Sequence, residues 1–309
     1  MRTTLQKLWS VTVLTVLLLF TSCYVQRHAT SKAERKKLKV ITRLDDLPAG
    51  GKAIMRTPSG KERVINFKKR VKEEDEDAYL VCDNTSGNFA SSNEENIFFK
   101  IVLNKPCDAS GCPDHCRYDG KKRIIAKTTI SSAANVNYYS LNTLLKNYTD
   151  LNPDSAMKLR VQNNEGRVAA ENKNVTINTA YLFCFAKEAD EDYHLVVGTK
   201  KNVDAANNRF FIIELSGLPD PSDSSYSSLD NALQNFFVMI GSSACSPGYY
   251  WFDSGYAPLR IKAKGSLYWD TEHWSTTNNA PHAHGPAELE SRLKTVWEIH
   301  PVTSISEIE

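Results

Sequence analysis

A mainly β fold is what the sequence predicts: a five-stranded C-terminal barrel with one helix, behind a smaller β-rich N-terminal module. Three observations carry this. Residues 174–187, 193–199, 209–215, 258–270 and 294–305 are runs rich in β-branched and aromatic side chains, the types that fit a pleated, half-buried surface. A single helical pattern stands between the third and fourth runs, at 228–239. There Leu229, Ala232, Leu233, Phe236 and Phe237 recur at three- and four-residue steps, with Ser227 or Ser228 placed to cap them. Upstream, short runs at 52–56, 63–67, 78–82, 97–103 and 123–128 alternate with Gly, Asn, Ser and Pro clusters. Five strands with a helix between the third and fourth is the order of an OB-like barrel.

From the N-terminus, the first element reads as an export signal. Arg2 and Lys7 form a basic start, 11–20 is an apolar run, and Phe20-Thr21-Ser22 precedes Cys23. Small residues ahead of a thiol suit cleavage coupled to lipid transfer. The stretch resembles the lipobox of bacterial lipoproteins, with Phe20 where that family usually has Leu. The resemblance implies a signal peptide over 1–22, a lipid on Cys23 that holds the chain to a membrane, and a place in the cell envelope. Tyr24, in the position where an Asp commonly marks inner-membrane retention, points to the outer membrane, facing the periplasm or the exterior. A cleaved secretory signal without lipid is a second reading. An uncleaved anchor over 9–25 is a third, at the short limit of about 17 residues for a bilayer. Residues 23–39, rich in Arg, Lys, Ser and Ala, read as a solvated tether whose charge also suits anionic headgroups.

The folded body follows as the module over 40–150 and the barrel domain over 165–309, divided at the turn-rich stretch 147–154. In the module, 68–77 is a basic then acidic run, expected as a solvated tip, and 140–147 a short helix. In the barrel, the first strand is expected to place Val175, Ile177, Thr179, Tyr181, Phe183 and Phe185 on one face. The second sets Tyr193, Leu195 and Val197 opposite His194 and Val196. Residues 276–291 form the loop between the last two strands. The formal charge of +2 cancels once Arg2 and Lys7 are removed, which leaves no electrostatic footprint for nucleic acid.

Six cysteines accompany Cys23: Cys82, Cys107, Cys112, Cys116, Cys184 and Cys245. An even number in an oxidising compartment favours disulfides, with the pairing open. Cys107, Cys112 and Cys116 share a Gly/Pro-rich loop with His115, which reads as a disulfide-stapled loop or, alternatively, a zinc knuckle. Cys184, on an apolar strand, reads as a core or disulfide cysteine.

The last strand closes on Trp297-Glu298-Ile299-His300-Pro301-Val302-Thr303. Together with Asp190-Glu191-Asp192-Tyr193-His194-Leu195-Val196-Val197 and Lys264-Gly265-Ser266-Leu267-Tyr268-Trp269-Asp270, followed by Glu272-His273, it is similar to the C-terminal domain of a set of uncharacterised bacterial proteins. The likeness covers roughly 167–305. It implies a β-barrel fold and brings no assigned activity.

Those three segments also hold the one polar constellation that points to chemistry. Asp192 and His194 open the second strand, Asp270, Glu272 and His273 end the fourth, and Glu298 and His300 share a face of the fifth. Carboxylates and imidazoles hold a divalent cation or move protons at neutral pH. Asp192, His194, His273, Glu298 and His300 are therefore candidate ligand or metal residues, and a metal-dependent, nuclease-like hydrolase is the alternative function. A plain hydrogen-bonded Glu298–His300 pair is the structural counterpart, and His282 and His284 read as polar loop surface or, alternatively, as further ligands. No G-x-S-x-G, H-E-x-x-H, Walker loop or G-x-G-x-x-G is present, so no catalytic residue and no cofactor is assigned. Tyr249-Tyr250-Trp251-Phe252, Tyr256, Trp269 and Trp274 offer planar faces for sugars or bases, with core packing the alternative for at least half of them. The expected function is thus an envelope binding or structural module without intrinsic catalysis, with a glycan, peptide or protein ligand.

Overall fold

The computed structural model describes residues 29–47, 50–69, 80–82, 116–118, 124–148, 167–188, 192–219, 221–244, 248–270, 273–275, 280–281 and 284–309. The signal segment, Cys23, Cys107, Cys112, His115, Cys245, Glu272 and His282 lie outside them, as does the run at 97–103. No helix among the described residues is long and apolar enough to cross a membrane.

Near the N-terminus, helix α1 (Lys32–Arg35) starts with a reciprocal capping box between Ser31 and Glu34. Strands β1 (Val40–Ile41), β2 (Lys52–Arg56) and β3 (Glu62–Lys69) follow, then the small ribbon of β4 (Leu80–Cys82) and β5 (Cys116–Tyr118). Helix α2 (Ile124–Thr128) replaces the strand expected at 123–128. Arg167 stands beside α2, and its guanidinium donates to the Ala126 carbonyl at 2.7 Å and to the Leu267 and His300 carbonyls. An isolated apolar run does not distinguish strand from helix by periodicity, and here the packing decides. Strand β6 (Asn135–Tyr138) and helix α3 (Leu141–Tyr148) complete this half.

The barrel is built from β7 (Asn174–Lys187), β8 (Tyr193–Gly198), β9 (Phe210–Leu215), helix α4 (Tyr226–Ile240), β10 (Gly248–Phe252), β11 (Leu259–Trp269) and, after an insert, β14 (Leu293–Glu307). The insert carries a two-strand ribbon, β12 (Trp274–Ser275) with β13 (Ala280–Pro281), and the short helix α5 (Ala287–Glu290). Five strands close in the order β7-β8-β9-β14-β11-β7, with β9 and β14 parallel and the other pairs antiparallel. This is the OB-like order expected from the five runs and the helix between the third and fourth.

Alternation along the strands fills the interior with Val175, Ile177, Leu195, Val197, Phe211, Ile213, Ile299 and Val302. Helix α4 adds its buried stripe of Leu229, Ala232, Leu233, Phe236, Met239 and Ile240. The Phe236 ring meets Phe185 edge-on at 5.2 Å and Tyr193 at 5.6 Å. Its start lies earlier than the cap expected at Ser227 or Ser228. Ser225 is the N-cap, held by Asp223, whose Oδ1 accepts from the Ser225 N–H at 2.7 Å and its hydroxyl at 2.6 Å. Gly241, at φ 92°, ends the helix in the left-handed conformation that a side chain would strain.

The first barrel strand departs from the single apolar face predicted for it. Register shifts against β11 and β8 insert an extra residue twice, so Val175 and Ile177, then Ala180 and Leu182, then Phe185 face the interior. Phe183 turns to the other side, into a cluster with Phe210, Val196 and Ile212. Simple alternation from one end of a long strand cannot anticipate bulges.

Beyond the barrel, β10 pairs with β7 on one edge and β3 on the other, so β1, β2 and β3 continue the barrel's own sheet across the stretch expected to divide two domains. The aromatic run Tyr249-Tyr250-Trp251-Phe252 is this β10, buried throughout, so of its two readings core packing applies and the ligand platform does not. Tyr250 stacks on Phe185 at 5.3 Å, and Trp274 packs on Trp269 at 5.5 Å. Part of the supposed solvated tether is also packed. The buried Asp253 carboxylate accepts from the Thr30 N–H at 3.0 Å and from its hydroxyl, and pairs with Arg35 at 3.5 Å and Lys52 at 3.6 Å.

Candidate functional site

The other face of β8, β9 and β14 carries, beside the apolar cluster of Val196, Phe210 and Ile212, a patch that is polar and yet buried. Because His194 opposes Glu214 across β8 and β9, and Ile213 opposes Ile299 across β9 and β14, the register sets His194, Glu214 and His300 side by side. Glu298 lies two residues before His300 on the same face, as alternation requires. The insert between β11 and β14 brings His273 and His284 over them, and Asp270 comes from the end of β11. Asp192, His194, Glu214, Asp270, His284, Glu298 and His300 are each at most 7% exposed.

The contacts form two linked groups. In the first, His300 sits between carboxylates, with Nε2 3.2 Å from Asp192 and Nδ1 2.7 Å from Glu214 and 3.6 Å from Glu298. Glu214 is shared, because its other oxygen takes His194 Nδ1 at 2.8 Å. Asp192 also accepts from the Gly217 N–H at 2.6 Å and has Lys127 at 3.6 Å. In the second group, His284 Nε2 meets Glu298 at 2.7 Å, and its Nδ1 lies 3.2 Å from the Thr295 carbonyl. His273 Nε2 is 3.6 Å from Asp270, and its ring stacks on His284 at 5.0 Å. One donor atom from each of Asp192, Glu214 and His300 falls within 4.8 Å of the others, and the same holds for Asp270, His284 and Glu298.

The electrostatics follow from burial and from these neighbours. Burial presses the His300 imidazole toward neutrality, but the Glu214 and Asp192 charges outweigh it and raise its pKa well above the ordinary range. His194 is raised in the same way, burial being outweighed by its bond to Glu214. Burial would raise Glu214, yet His300 and His194 hold it well below a usual carboxylate. Asp270 is lowered, with burial outweighed by His273 and His284. For His273 burial wins over Asp270, and its pKa falls. Four buried carboxylates in one region cost several kcal/mol each, by order of magnitude, unless cations or protons balance them.

All five candidates read from the sequence, Asp192, His194, His273, Glu298 and His300, lie in this one cluster. Glu214 was missed, although one signal existed: it is the lone charge in the apolar run Phe210-Phe211-Ile212-Ile213-Glu214-Leu215. His284 is buried within the cluster, which sets aside its reading as polar surface and leaves its reading as a ligand. That fact depends on the fold of the insert, which local sequence does not report. Cys184 is a buried free thiol. This cysteine is therefore a core residue and not one half of a cross-link.

Two groups in this donor set, Asp192 with Glu214 and His300 and Asp270 with His284 and Glu298, have the spacing to hold a divalent ion. Imidazole nitrogens and carboxylate oxygens together are the ligands of first-row transition metals. A ligating histidine typically gives its second N–H to a carbonyl or carboxylate. His284 with Thr295 and His194 with Glu214 both have that arrangement. Compared with protein-family models, with curated proteins and with solved structures, the chain finds no match in any of the three.

Proposed function

We propose that this chain is a lipid-anchored protein of the cell envelope, attached through Cys23, whose barrel binds one divalent cation through Asp270, His284 and Glu298. The signal-like N-terminus supports the first half of this reading. The single observation that supports the second is His284. With its Nδ1 at the Thr295 carbonyl, its Nε2 is turned onto Glu298 at 2.7 Å inside a nearly sealed cluster. A cation there bridges two groups already in place. Burial of the donors suits a retained ion better than an open site where substrates turn over. The role is therefore binding and structural, the ion joining the insert to β14, and not hydrolysis.

Metal analysis of the full chain, stripped with a chelator and reloaded with Zn²⁺, tests this. One equivalent per chain is expected. At a hundredfold excess over Kd it adds about 2.7 kcal/mol to stability, a rise of roughly 5–10 °C in Tm. A chain that retains no ion and gains no stability leaves the cluster as an ion-paired clamp between insert and barrel. Mass spectrometry of protein from its native membrane tests the anchor, with a diacylated or triacylated Cys23 expected at the N-terminus.

A further inference from the structure

We propose that His194 is a ligand of the same cation through Nε2, with Glu214 as the positioning residue behind it, so that the site prefers Zn²⁺ or Co²⁺ to Mg²⁺ or Ca²⁺. This rests on the cation reading of the cluster given above.

Three observations combine. His194 Nδ1 is committed to Glu214 at 2.8 Å, so the second ring nitrogen is the one free to meet an ion. That Nε2 is buried and has no hydrogen-bond partner among the described residues. A buried polar nitrogen left without a partner is unfavourable, and a bound cation removes that cost. Finally, the His194 and His284 rings stand 5.8 Å apart with planes at 85°. Two imidazoles bound to one tetrahedral ion at metal–nitrogen distances of about 2.0–2.1 Å have ring centres roughly 5–6 Å apart.

His273 is closer to His284, at 5.0 Å, but its plane is inclined by only 24°. The lone pairs of an imidazole lie in its plane, and lone pairs in nearly parallel planes run side by side without meeting. Planes near 90° do allow them to converge. His194 therefore stands edge-on to His284 and reaches the ion by a side-chain shift, since the donor atoms already within 4.8 Å of one another are those of Asp270, His284 and Glu298, and His273 is a stacking cover. Glu214 also touches His300 at 2.7 Å, which in turn lies 3.2 Å from Asp192, so an ion-paired chain fixes the orientation of His194 from behind. Two imidazoles and two carboxylates form a mixed nitrogen and oxygen set. Mg²⁺ and Ca²⁺ favour oxygen alone.

The test uses the full-length protein loaded with Zn²⁺ or Co²⁺. X-ray absorption of the zinc form should count two imidazoles per ion, and it needs no variant. Visible spectra of the cobalt form should change in His194→Gln, with affinity falling about 100-fold. Glu214→Gln should lower affinity about 10-fold while keeping the two-imidazole signature, as expected for a group that only orients a ligand. One imidazole per zinc, or a His194→Gln protein with unaltered cobalt spectrum and affinity, overturns the inference and leaves the cation site standing. Mg²⁺ competing equally with Zn²⁺ overturns the assigned preference. Failure of the wild-type chain to bind either metal removes both readings together.

Discussion

Strands β8, β9 and β14 send Leu195, Ile213 and Ile299 into the barrel and His194, Glu214 and His300 out of it. Both sets are buried, one residue apart along the same strands, and they are stabilised in different ways. The inner set contributes by leaving water, a non-directional gain that scales with area. The outer set contributes only while every charge keeps its partner, because the desolvation of each group is large and is offset pairwise. Truncation inside should thus cost what the lost volume dictates, whereas truncation outside should cost what the stranded partners dictate.

Phe236→Ala probes the inner set and should have the largest effect. The ring fills the barrel end against Phe185 and Tyr193, so its loss should destabilise by about 3–5 kcal/mol in urea unfolding. His300→Ala probes the outer set. It removes fewer apolar contacts but leaves Asp192, Glu214 and Glu298 facing one another without the imidazole between them. A loss of about 3 kcal/mol is expected, and replacing Asp192 and Glu214 by their amides in the same chain should restore part of it. If the amides make the His300→Ala protein still weaker, the pairing account of this face is wrong.

Between the two faces lies Gly265, where β11 and β14 change register. A side chain there would begin 2.2 Å from the Pro301 carbonyl oxygen and 2.5 Å from Ile299. Gly265→Ala must therefore shift the β14 backbone next to His300, at a cost of about 1–3 kcal/mol. Because that shift moves the strand bearing Glu298 and His300, it should also weaken cation binding. Unchanged affinity in a destabilised Gly265→Ala protein would separate the site from the bulge.

How much of this was legible in the sequence follows the same division. The inner face writes itself as alternation in β8 and as three- and four-residue steps in α4, so strand order and the helix position could be read directly. Part of the outer face was legible too, since His194, Glu298 and His300 lie on strands whose alternation fixes their side, with Asp192 just ahead of β8. What escaped depended on contacts distant in the chain. One bulge in β7 turned Phe183 to the opposite face and a second returned Phe185 to the interior, β10 joined the barrel sheet to β3, and the insert folded His284 under cover. None of these is set by local periodicity; each is set by which partner strand or loop arrives from elsewhere.

Glu307, at the far end of β14, sharpens the comparison at its weakest point. It pairs with Arg63 at 2.6 Å and Lys61 at 3.1 Å, the same kind of charge contact as in the cluster, but with a quarter of its side chain in water. Burial would raise its pKa, but the bond and charge of Arg63 outweigh this and lower it. A lowered folded-state value means the contribution is fully present above the unfolded carboxylate range. It is then lost as pH falls through the folded value. Solvent screening limits it to less than about 1 kcal/mol. Thermal unfolding of Glu307→Gln beside the wild type, from neutral pH into the acid range, should show a small deficit at pH 7 that vanishes as Glu307 is protonated. A deficit as large in acid as at neutrality would mean that the side chain acts through packing along β14 and not through its charge.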